Sequence, residues 1–461
     1  MIADVKEHRL LDRAHIPASH RCEVGSGRNI LIPFHDLPMR IVIIAPGSRG
    51  DVQPYVALGL GLKSACHEVR IVTTRDHASL VTAHGLELWS ADIDVQAALQ
   101  QPESSSSLES GKLFRSFRQL SKLASSSASL IAQKALDAAQ GADKILAGFG
   151  GLFVGAAISE KMGIPLIQAY NVPFTPTREI PGALTPGLGF WPKGFCHQLG
   201  HRITRQSIWL TARLSANKAR RSVLGLRSAP LLGPFHRAGL GAGTTLYGFS
   251  ESVIPRPSDW GQNISITGFW FLDPNKQWTP PPELVSFLEN GPKPIYIGFG
   301  SMSSRDPKKT ADMVLEAISR AGQRAILHTG WGGLGKENLG PDACVVESIP
   351  HAWLFDRVAA VVHHGGAGTT AAGIRAGVPS VVIPFHGDQP FWGQLVSQLG
   401  LGPHPVARRD LTAQRLARAI EAALKNREYR DKAAAMAARI RVEDGVSRAV
   451  ELIEASYDDQ R

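Results

Sequence analysis

Short runs of consecutive apolar residues alternate with longer amphipathic segments along most of the chain. The runs are rich in Val and Ile, as in RIVIIAP from residue 40, EVRIVTT from residue 68 and SVVIPF from residue 380. Strands without a polar face are typical of parallel sheets that helices cover on both sides. The segments between the runs repeat apolar residues at helical spacing, as in YVALGLGLKSAC and KKTADMVLEAISRAG. The pattern therefore predicts an α/β protein.

The same alternation occurs twice. A first set of predicted strands comprises RIVIIAP, EVRIVTT, KILAGF and PLIQAYN, and a second set comprises PIYIGFG, RAILHT, CVVES, AAVVHH and SVVIPF. A chain of 461 residues also exceeds what one hydrophobic core usually supports. We therefore predict two Rossmann-like doubly wound domains that face each other across a cleft, with ligands at the carboxyl ends of the strands.

Proline-rich sequence marks the predicted boundary between the domains. Residues 251–294 contain VIPRPSDW, WTPPPEL and NGPKP and are predicted to be a linker. The first domain then covers residues 39–250 and the second covers residues 295–440. Residues 441–461 are predicted to form a C-terminal helix that packs back on the first domain. Residues 1–38 are an N-terminal extension, for which disorder and a misassigned start are both open interpretations.

The formal charge of +10 does not by itself identify a partner. The sequence has no arginine-rich tract, zinc-ligand spacing or aromatic-basic RNA motif, so no nucleic-acid partner is predicted. Three interpretations of the charge stay open: a surface that meets anionic substrates, a peripheral contact with an anionic membrane, and a solvated basic exterior. The basic helical region over residues 193–222, with Trp209, Arg213 and Arg221, is the part that could rest on lipid.

The cysteines and the apolar runs bear on localisation. Cys22, Cys66, Cys196 and Cys344 are scattered and form no close pair, which argues against a metal site or a disulfide framework and favours a reducing compartment. No apolar run is long enough to span a membrane, and ILIPF is too short for the core of a signal peptide. We therefore expect a cytoplasmic protein, with peripheral membrane contact as an open alternative.

One stretch, HHGGAGTTAAGIRAGVPSVVIPFHGDQ over residues 363–389, carries most of the candidate chemistry. A glycine-rich turn joins a strand to a helix, so several backbone N–H groups at the helix start lack partners within the helix. The helix dipole adds roughly half a positive charge there, and His364 can donate a further hydrogen bond. After the next strand, Asp388 and Gln389 offer acceptors and a donor for hydroxyl groups. Together these features suit a sugar joined to a diphosphate.

Four motifs together resemble the family 1 nucleotide-sugar glycosyltransferases, and among them the sterol 3β-glucosyltransferases and related bacterial antibiotic glycosyltransferases most. The motifs are GSRGDVQPYVALGLGL, GFWFLDP, YIGFGSM and HHGGAGTTAAGIRAGVPSVVIPFHGDQPFWG, and the resemblance extends over about residues 39–455. It implies a fold of the GT-B type and an inverting reaction without a metal or other cofactor. It also implies a first domain that binds the acceptor and a second that binds a UDP-sugar.

The resemblance assigns roles to single residues. The diphosphate would be held by His364, Gly366, Gly368 and Thr369. Asp388 and Gln389 would bind the sugar, and Asp51 takes the position of the catalytic base. Many members of the family have a histidine base in this loop, and this chain does not, so a helix-capping aspartate is the alternative for Asp51. A carboxylate of ordinary pKa about 4 is a weak base toward an alcohol, which requires that the proton leaves late in the reaction.

Six further residues are candidate substrate contacts: Ser48, Arg49, Ser301, Trp331, Ile349 and His351. Ser48 and Arg49 adjoin Asp51, and Ser301 follows the first strand of the second domain, near the expected phosphates. The other three are candidates for the uracil side, with an ordinary core position as the alternative for Trp331 and His351. Asp92 and Asp94 in DID imitate a metal-binding pair and are interpreted as a solvated loop, so no metal site is predicted.

The predicted function is transfer of a hexose, with glucose favoured, from a UDP-sugar to a sterol or similar hydrophobic acceptor. Candidate walls of the acceptor pocket are Phe174, Phe190, Trp191 and Phe195, with ordinary loop anchoring as the alternative. A macrolide, polyketide or lipid acceptor stays open, as does a nucleotide-sugar-binding protein that has lost catalysis. A nicotinamide-dependent reductase is disfavoured because GSRGD lacks the G-x-G-x-x-G pattern.

Overall fold

Two parallel β-sheets organise the molecule. The computed structural model describes residues 38–93, 127–184, 193–235, 240–241, 243–275, 278–299, 307–328 and 340–458. The first sheet has the order β3-β2-β1-β4-β5-β6-β7, and the second has the order β10-β9-β8-β11-β12. Every strand pair in both sheets is parallel. The predicted fold class, two doubly wound α/β domains, is confirmed.

The strands of the first sheet are β1 (Arg40–Ile44), β2 (Glu68–Thr74), β3 (Glu87–Ala91), β4 (Lys144–Ala147), β5 (Leu166–Tyr170), β6 (Thr245–Tyr247) and β7 (Ile264–Ile266). The strands of the second sheet are β8 (Ile295–Gly298), β9 (Ala325–His328), β10 (Ala343–Val346), β11 (Ala360–His363) and β12 (Ser380–Val382). The central strands are buried on both faces, which is why their sequences are continuously apolar.

The helices that cover the sheets are α1 (Arg49–Ser64), α2 (Ala78–Thr82), α3 (Leu152–Met162), α4 (Lys193–Ser222), α5 (Pro282–Glu289), α6 (Pro307–Ala321), α7 (His351–Leu354), α8 (Ala367–Ala376), α9 (Gln389–Gln398), α10 (Ala413–Lys425), α11 (Arg427–Ile440) and α12 (Gly445–Asp458). Side-chain caps fix two of the starts. Thr412 accepts from the Arg415 N–H before α10, and Asn426 accepts from the Glu428 N–H before α11. Among the described residues, none of these helices is long and apolar enough to cross a membrane.

Strand order reverses beside the first strand of each domain. In the first sheet the reversal lies between β1 and β4, and in the second it lies between β8 and β11. Ligands of open α/β sheets bind outside the carboxyl ends of the strands at such a point. The GSRGD turn follows β1 and the HHGGAG turn follows β11, so the two motifs that carried the candidate chemistry occupy these two points.

Three strands of the first sheet were not predicted. Four of the five residues of β3 are exposed or partly exposed, and β6 and β7 are only three residues long, so none of them has a clear apolar pattern of its own. Pairing with the neighbouring strand stabilises them instead. Because β7 lies within residues 251–294 and joins the first sheet, the connection between the domains is shorter than the predicted linker.

The last helix, α12, packs on the first domain. Ala449, Val450 and Ile453 belong to the same buried cluster as β1 and α1, and Ile453 O accepts from the buried Lys144 Nζ at 2.6 Å. The chain therefore crosses between the domains twice. At the second crossing, Gly445 approaches Gly268 so closely that an added Cβ would lie 2.5 Å from the Gly268 carbonyl carbon.

One expectation about the cysteines is wrong. Cys196 and Cys344 are free thiols, but Cys66 is disulfide-bonded, with its partner outside the described residues. The lack of a close pair in the sequence hid this bond, because a disulfide needs closeness in space and not along the chain. The N-terminal extension lies outside the described residues apart from Pro38.

Candidate functional site

A cleft of about 2830 Å³ lies between the two domains. The loops after β1, β2 and β5 line it from the first domain, and the loops after β10, β11 and β12 line it from the second. The structure therefore gathers at one cavity most of the described residues that the sequence put forward. They are Ser48, Arg49, Asp51, Ile349, His351, His364, Gly366, Gly368, Thr369, Asp388 and Gln389.

The start of α8 opens into this cleft. Gly366 is its N-cap, and no side chain caps it, so backbone N–H groups of the first turn are available to a ligand. The His364 ring bonds the Gly298 carbonyl, and its Nδ1 has no partner among the described residues. A Cβ at Gly366 would lie 2.5 Å from His364 Nε2. Glycine at this position therefore allows the imidazole to lie over the helix start.

Burial, and then the neighbouring His386, lower the pKa of His364 to about 4. The ring is therefore neutral in the empty cleft at neutral pH. A diphosphate would favour the protonated ring, since an opposite charge raises the pKa of an imidazole. His363, by contrast, is fully buried, and its Nδ1 accepts from the Gly365 N–H at 3.1 Å. The sequence left both a packed and a solvent-facing position open for His363, and the structure has it packed.

Asp388 and Gln389 begin α9 and differ in their contacts. Asp388 Oδ2 accepts from Trp392 Nε1 at 3.0 Å, and burial raises the pKa of Asp388 to about 6. Gln389 is buried, and its Oε1 accepts from the backbone N–H groups of Phe385 and His386 at 2.8 and 3.1 Å. Gln389 thus fixes the loop that presents Asp388, and its direct contact with a sugar stays a prediction.

Asp51 lies in the first turn of α1 and is bonded to the N-cap. Its Oδ2 accepts from the backbone N–H and from the hydroxyl of Ser48, both at 2.8 Å. The capping geometry that was the alternative interpretation is therefore present. Both bonds end on Oδ2, so Oδ1 takes no part in them. Burial raises the pKa of Asp51 against the opposing effect of these bonds, which strengthens the carboxylate as a base.

Asp51 and Asp388 line the same cleft from different domains. The charge of Asp51 is the smallest of the contributions to the raised pKa of Asp388. Helix α1, which carries Asp51, contacts helix α8 of the second domain. The GSRGD and GDQ motifs are therefore brought to one cavity by the fold.

A second group of polar side chains joins the two domains at Arg49. This side chain is exposed. Burial is the largest cause that lowers the pKa of His328 and of His351, and the charge of Arg49 lowers both pKa values further. His351 stacks on Phe355 with ring centroids 4.5 Å apart, and its Nε2 lies 3.3 Å from Tyr296 Oη. Burial brings the pKa of His351 to about 3, so it is a neutral hydrogen-bonding group.

Ile349 precedes this group, and its side chain packs in the second domain's core. Because this side chain is buried in the core, it is the backbone of Ile349 that could contact a nucleobase. Ser301 and Trp331, with Phe190 and Trp191, lie outside the described residues. Their predicted contacts stay predictions.

The sequence did not identify several polar residues of the cleft. Asp76 Oδ1, Asn171 Oδ1 and Thr204 Oγ1 are buried atoms without a partner among the described residues, and all three residues line the cavity. His77 Nε2 lies 2.9 Å from Gly47 O, close enough to Asp51 to lower its pKa. Asp76 and His77 follow β2, and Asn171 follows β5, so their positions at strand carboxyl ends were the available signal.

Aromatic side chains form the wall of the cleft in the first domain. Phe174 contacts Phe149 and Tyr170 edge to face, with centroids 5.3 and 5.2 Å apart, and all three line the cavity. Phe195, also predicted for this wall, is 66% exposed and does not line the cavity. Its position on the outer face of α4 explains the difference.

Other side chains take structural positions. Trp209 is buried, and its Nε1 donates to Pro230 O at 3.1 Å, so it is unavailable to lipid. Asp92 forms an exposed ion pair with Arg75, as a solvated loop would, and Asp94 lies outside the described residues. Among the described residues, no group of His, Cys, Asp and Glu side chains could hold a metal ion.

Comparisons with known proteins agree with this architecture. Residues 41–181 match the glycosyltransferase family 28 N-terminal domain, and residues 305–449 match the erythromycin biosynthesis protein CIII-like C-terminal domain. Two solved structures share the fold over most of the chain. The glycotransferase of kitacinnamycin is 20% identical with a TM-score of 0.62, covering 91% of this chain and 99% of that one. SsfS6 of Streptomyces sp. SF2575, complexed with thymidine diphosphate, is 18% identical with a TM-score of 0.56, covering 90% and 99%.

Sequence relatives are more similar. Sterol 3-beta-glucosyltransferase UGT80A2 of Arabidopsis thaliana is 36% identical, covering 90% of this chain and 65% of the relative. UGT80B1 of the same plant is 32% identical, covering 94% and 71%. For the 34% identical sterol 3-beta-glucosyltransferase of Cryptococcus neoformans, the chain spans only 27% of the relative's length. With two GT-B domains, a shared cleft and these relatives, the chain belongs to the glycosyltransferase family that includes the sterol 3-beta-glucosyltransferases.

Proposed function

We propose that the protein transfers glucose from UDP-glucose to the hydroxyl of a sterol, with inversion at the anomeric carbon and without a metal. All three sequence relatives given above are named sterol 3-beta-glucosyltransferases. The observation that carries the proposal is that Asp51 from the first domain and His364 and Asp388 from the second domain line one cleft. A candidate base and the candidate contacts of a nucleotide-sugar therefore share one cavity.

Asp51 is the base in this proposal. The acceptor hydroxyl attacks the anomeric carbon and forms the new C–O bond while the bond to the diphosphate breaks, and its proton passes to the Asp51 carboxylate. Oδ2 stays bonded to Ser48, which leaves Oδ1 to take the proton. Burial raises the pKa of Asp51, which moves it toward the range where a general base is effective.

The start of α8 stabilises the departing diphosphate. Its free N–H groups and the positive end of the helix dipole face the cleft. His364 adds a hydrogen bond whose strength grows as negative charge develops on the leaving oxygen. Asp388 accepts from a sugar hydroxyl, and Gln389 keeps its loop in place. Tyr296, His351 and the Ile349 backbone are placed to meet the nucleoside.

The acceptor lies against the aromatic wall of Phe149, Tyr170 and Phe174. Such rings suit a flat apolar molecule. The unpartnered Asn171 Oδ1 and Thr204 Oγ1 are buried polar atoms that a polar group of the acceptor could satisfy. Bringing both substrates into one cleft orients them and excludes water, which would otherwise hydrolyse the donor.

A mass-spectrometric screen tests the proposal. UDP-glucose and dTDP-glucose are each offered with cholesterol and with polyketide aglycones, with and without a chelator. We expect glucosyl sterol from UDP-glucose, with the chelator having no effect and the anomeric configuration inverted. Products only from dTDP-glucose and a polyketide would instead assign the chain to antibiotic glycosylation, for which the thymidine diphosphate bound by SsfS6 is the supporting observation. No product with any pair would refute catalysis of this kind.

A further inference from the structure

Helix α4 carries a stripe of exposed apolar side chains. Phe195, Leu199, Ile203, Leu210 and Leu214 are between 41% and 67% exposed. Their spacings of four, four, seven and four residues put them on one face of an α-helix. The exposed Leu231 and Leu232 lie beside them, because Gln206 Nε2 donates to Leu231 O at 3.0 Å. We call these seven residues the outer stripe.

The outer stripe is unusual within the molecule. It contains seven of the eleven large exposed apolar side chains among the described residues. Single exposed apolar side chains are ordinary on a protein surface, but a contiguous group usually marks a contact. We therefore expect the outer stripe to contact another molecule.

The charge on the same helix indicates what kind of surface would bind the outer stripe. Residues 193–222 contain seven Lys and Arg residues and no Asp or Glu. Arg205 is engaged with Phe174, and Arg220 forms an ion pair with Glu160. Arg202, Lys218 and Arg221 are exposed. A long helix with an apolar stripe bordered by cations is complementary to a surface of anionic headgroups above acyl chains.

The opposite face of α4 belongs to the acceptor side of the cleft. His201 and Thr204 line the cavity, and Trp209 packs edge to face on Phe153 in the core, with centroids 5.1 Å apart. One helix thus separates the aromatic wall of the cleft from the outer stripe. A surface that holds the stripe is consequently only one helix diameter, about 10 Å, from the acceptor pocket.

We propose that the outer stripe of α4 docks on an anionic lipid bilayer, with Phe195, Leu199, Ile203, Leu210 and Leu214 entering the headgroup region and Arg202, Lys218 and Arg221 contacting phosphates. Docking in this orientation brings the aromatic wall of the cleft within one helix diameter, about 10 Å, of the membrane surface. A hydrophobic acceptor then passes from lipid to the aromatic wall without crossing bulk water.

Vesicle sedimentation tests the docking without any use of catalysis. The full chain is mixed with phosphatidylcholine vesicles, or with vesicles that also contain phosphatidylserine, at low and high salt. We expect binding to the anionic vesicles that high salt weakens. Leu210→Asp with Leu214→Asp should weaken it about tenfold or more for each leucine. Arg202→Gln with Lys218→Gln should weaken it about fivefold for each charge removed.

Two matched controls lie away from α4, one in the connection between α11 and α12 and one on α11. Val442→Asp changes a side chain that is 84% exposed, and Arg427→Gln changes one that is 87% exposed; both should keep wild-type binding. Two outcomes would overturn the proposal. One is lack of binding by the wild-type chain. The other is a dimer that the Leu210→Asp and Leu214→Asp variant converts to monomer, which would make the stripe an interface between copies.

A second readout concerns delivery of the acceptor and rests on the proposed function. The aspartate variant should glucosylate cholesterol in anionic vesicles at least about tenfold more slowly than wild type, and detergent-dispersed cholesterol at an unchanged rate. Equal losses in both forms would contradict the delivery role. If neither form is glucosylated by wild type, the proposed function fails while the vesicle result stands by itself.

Discussion

At the scale of single residues, Asp51 has two roles that one substitution can separate. Its Oδ2 caps α1 through Ser48, and the same carboxylate is the proposed base. Asp51→Asn keeps the shape and most of the capping ability but cannot take a proton. We expect turnover with UDP-glucose to fall about a hundred- to ten-thousand-fold, while stability changes by no more than about 1 kcal/mol. Product formation and thermal melting measure the two effects.

Ser48→Ala is the matched control for Asp51→Asn. It loses one bond of the cap and leaves the base intact, so most activity should remain. Because the Ser48 bonds lower the pKa of Asp51, the acidic limb of the pH–rate profile should move to higher pH. An Asn variant that is unstable yet active would make Asp51 only a cap, and His77 would be the next candidate. His67, a further histidine of the first domain, is buried against Glu454 and does not line the cleft.

Asp388 should control the pH dependence of stability. Burial raises its pKa to about 6 from an ordinary value of 3.8, so the folded chain binds this proton more tightly than the unfolded chain does. The resulting stabilisation is present below about pH 4 and is lost as pH rises to about 6. Asp388→Asn cannot ionise, so it should be more stable than wild type near pH 8, by on the order of 1–3 kcal/mol. Near pH 4 the two should be equal.

Chemical denaturation of both proteins at the two pH values measures this difference. The Asn variant should also bind UDP as wild type does but use UDP-glucose poorly, because only the hexose loses its partner. A variant that is less stable at both pH values would indicate that the ionised carboxylate supports α9.

His364 should take up a proton when a diphosphate binds. Its pKa is about 4 in the empty cleft, and an adjacent anion raises it. Calorimetry of UDP binding in buffers of different ionisation enthalpy should therefore detect proton uptake by wild type and none by His364→Gln. His364→Ala should reduce turnover about a hundred- to a thousand-fold. Near-normal turnover would remove His364 from the site.

Residues that lie within a continuous motif could be placed at the cleft from the sequence. His364 follows a strong strand in a glycine-rich turn, so its local pattern was sufficient, whereas Asp51 was assigned through the family resemblance. Asp76, His77 and Asn171 follow β2 and β5, and nothing beside them along the chain distinguishes them from ordinary loop residues. Only the meeting of these two strand ends at one cavity brings them to the site. The capping bonds of Asp51 and the loop contacts of Gln389 likewise depend on side-chain geometry.

At the scale of elements, the start of α8 is built around Gly366. A Cβ there would meet His364 Nε2 at 2.5 Å, so Gly366→Ala should rotate the imidazole away from the helix start without unfolding the chain. We expect UDP affinity to fall about tenfold or more, the effect of losing one charged hydrogen bond. Calorimetry measures the affinity, and circular dichroism checks the fold. Unchanged affinity would show that the helix N–H groups suffice without His364.

Whether a helix or strand could be predicted from the sequence depends on what stabilises it. Strands β1 and β8 are buried on both faces, and their short apolar sequences, RIVII and IYIG, made them predictable. Strands β6 and β7 have three residues each and exist because β5 offers an edge. Helix α4 was predicted as a basic helix, but the burial of Trp209 and the exposure of Phe195 depend on which face meets the core. Apolar residues occur around much of α4, so the sequence did not show which face of the helix meets the core.

At the scale of the whole molecule, we expect the cleft to close on its substrates, because Asp51 and Asp388 line it from different domains. The two chain crossings meet where Gly445 contacts Gly268. Gly445→Val should hold the domains apart, so UDP affinity should stay within about twofold while turnover falls at least about tenfold, a loss of the orientation that closure provides. Small-angle scattering should detect a more open shape. Normal turnover in this variant would place the closing motion elsewhere.

The position of α12 has a consequence for how the chain is made. Ala449, Val450 and Ile453 complete the core that β1 and α1 begin, so the second domain is in effect inserted into the first. During synthesis the first domain cannot complete its core until α12 has left the ribosome. The second domain has all its described strands once Val382 has been made, so it can fold first. A ribosome that stops before residue 445 would therefore release a chain whose second domain is folded and whose first domain is unfinished.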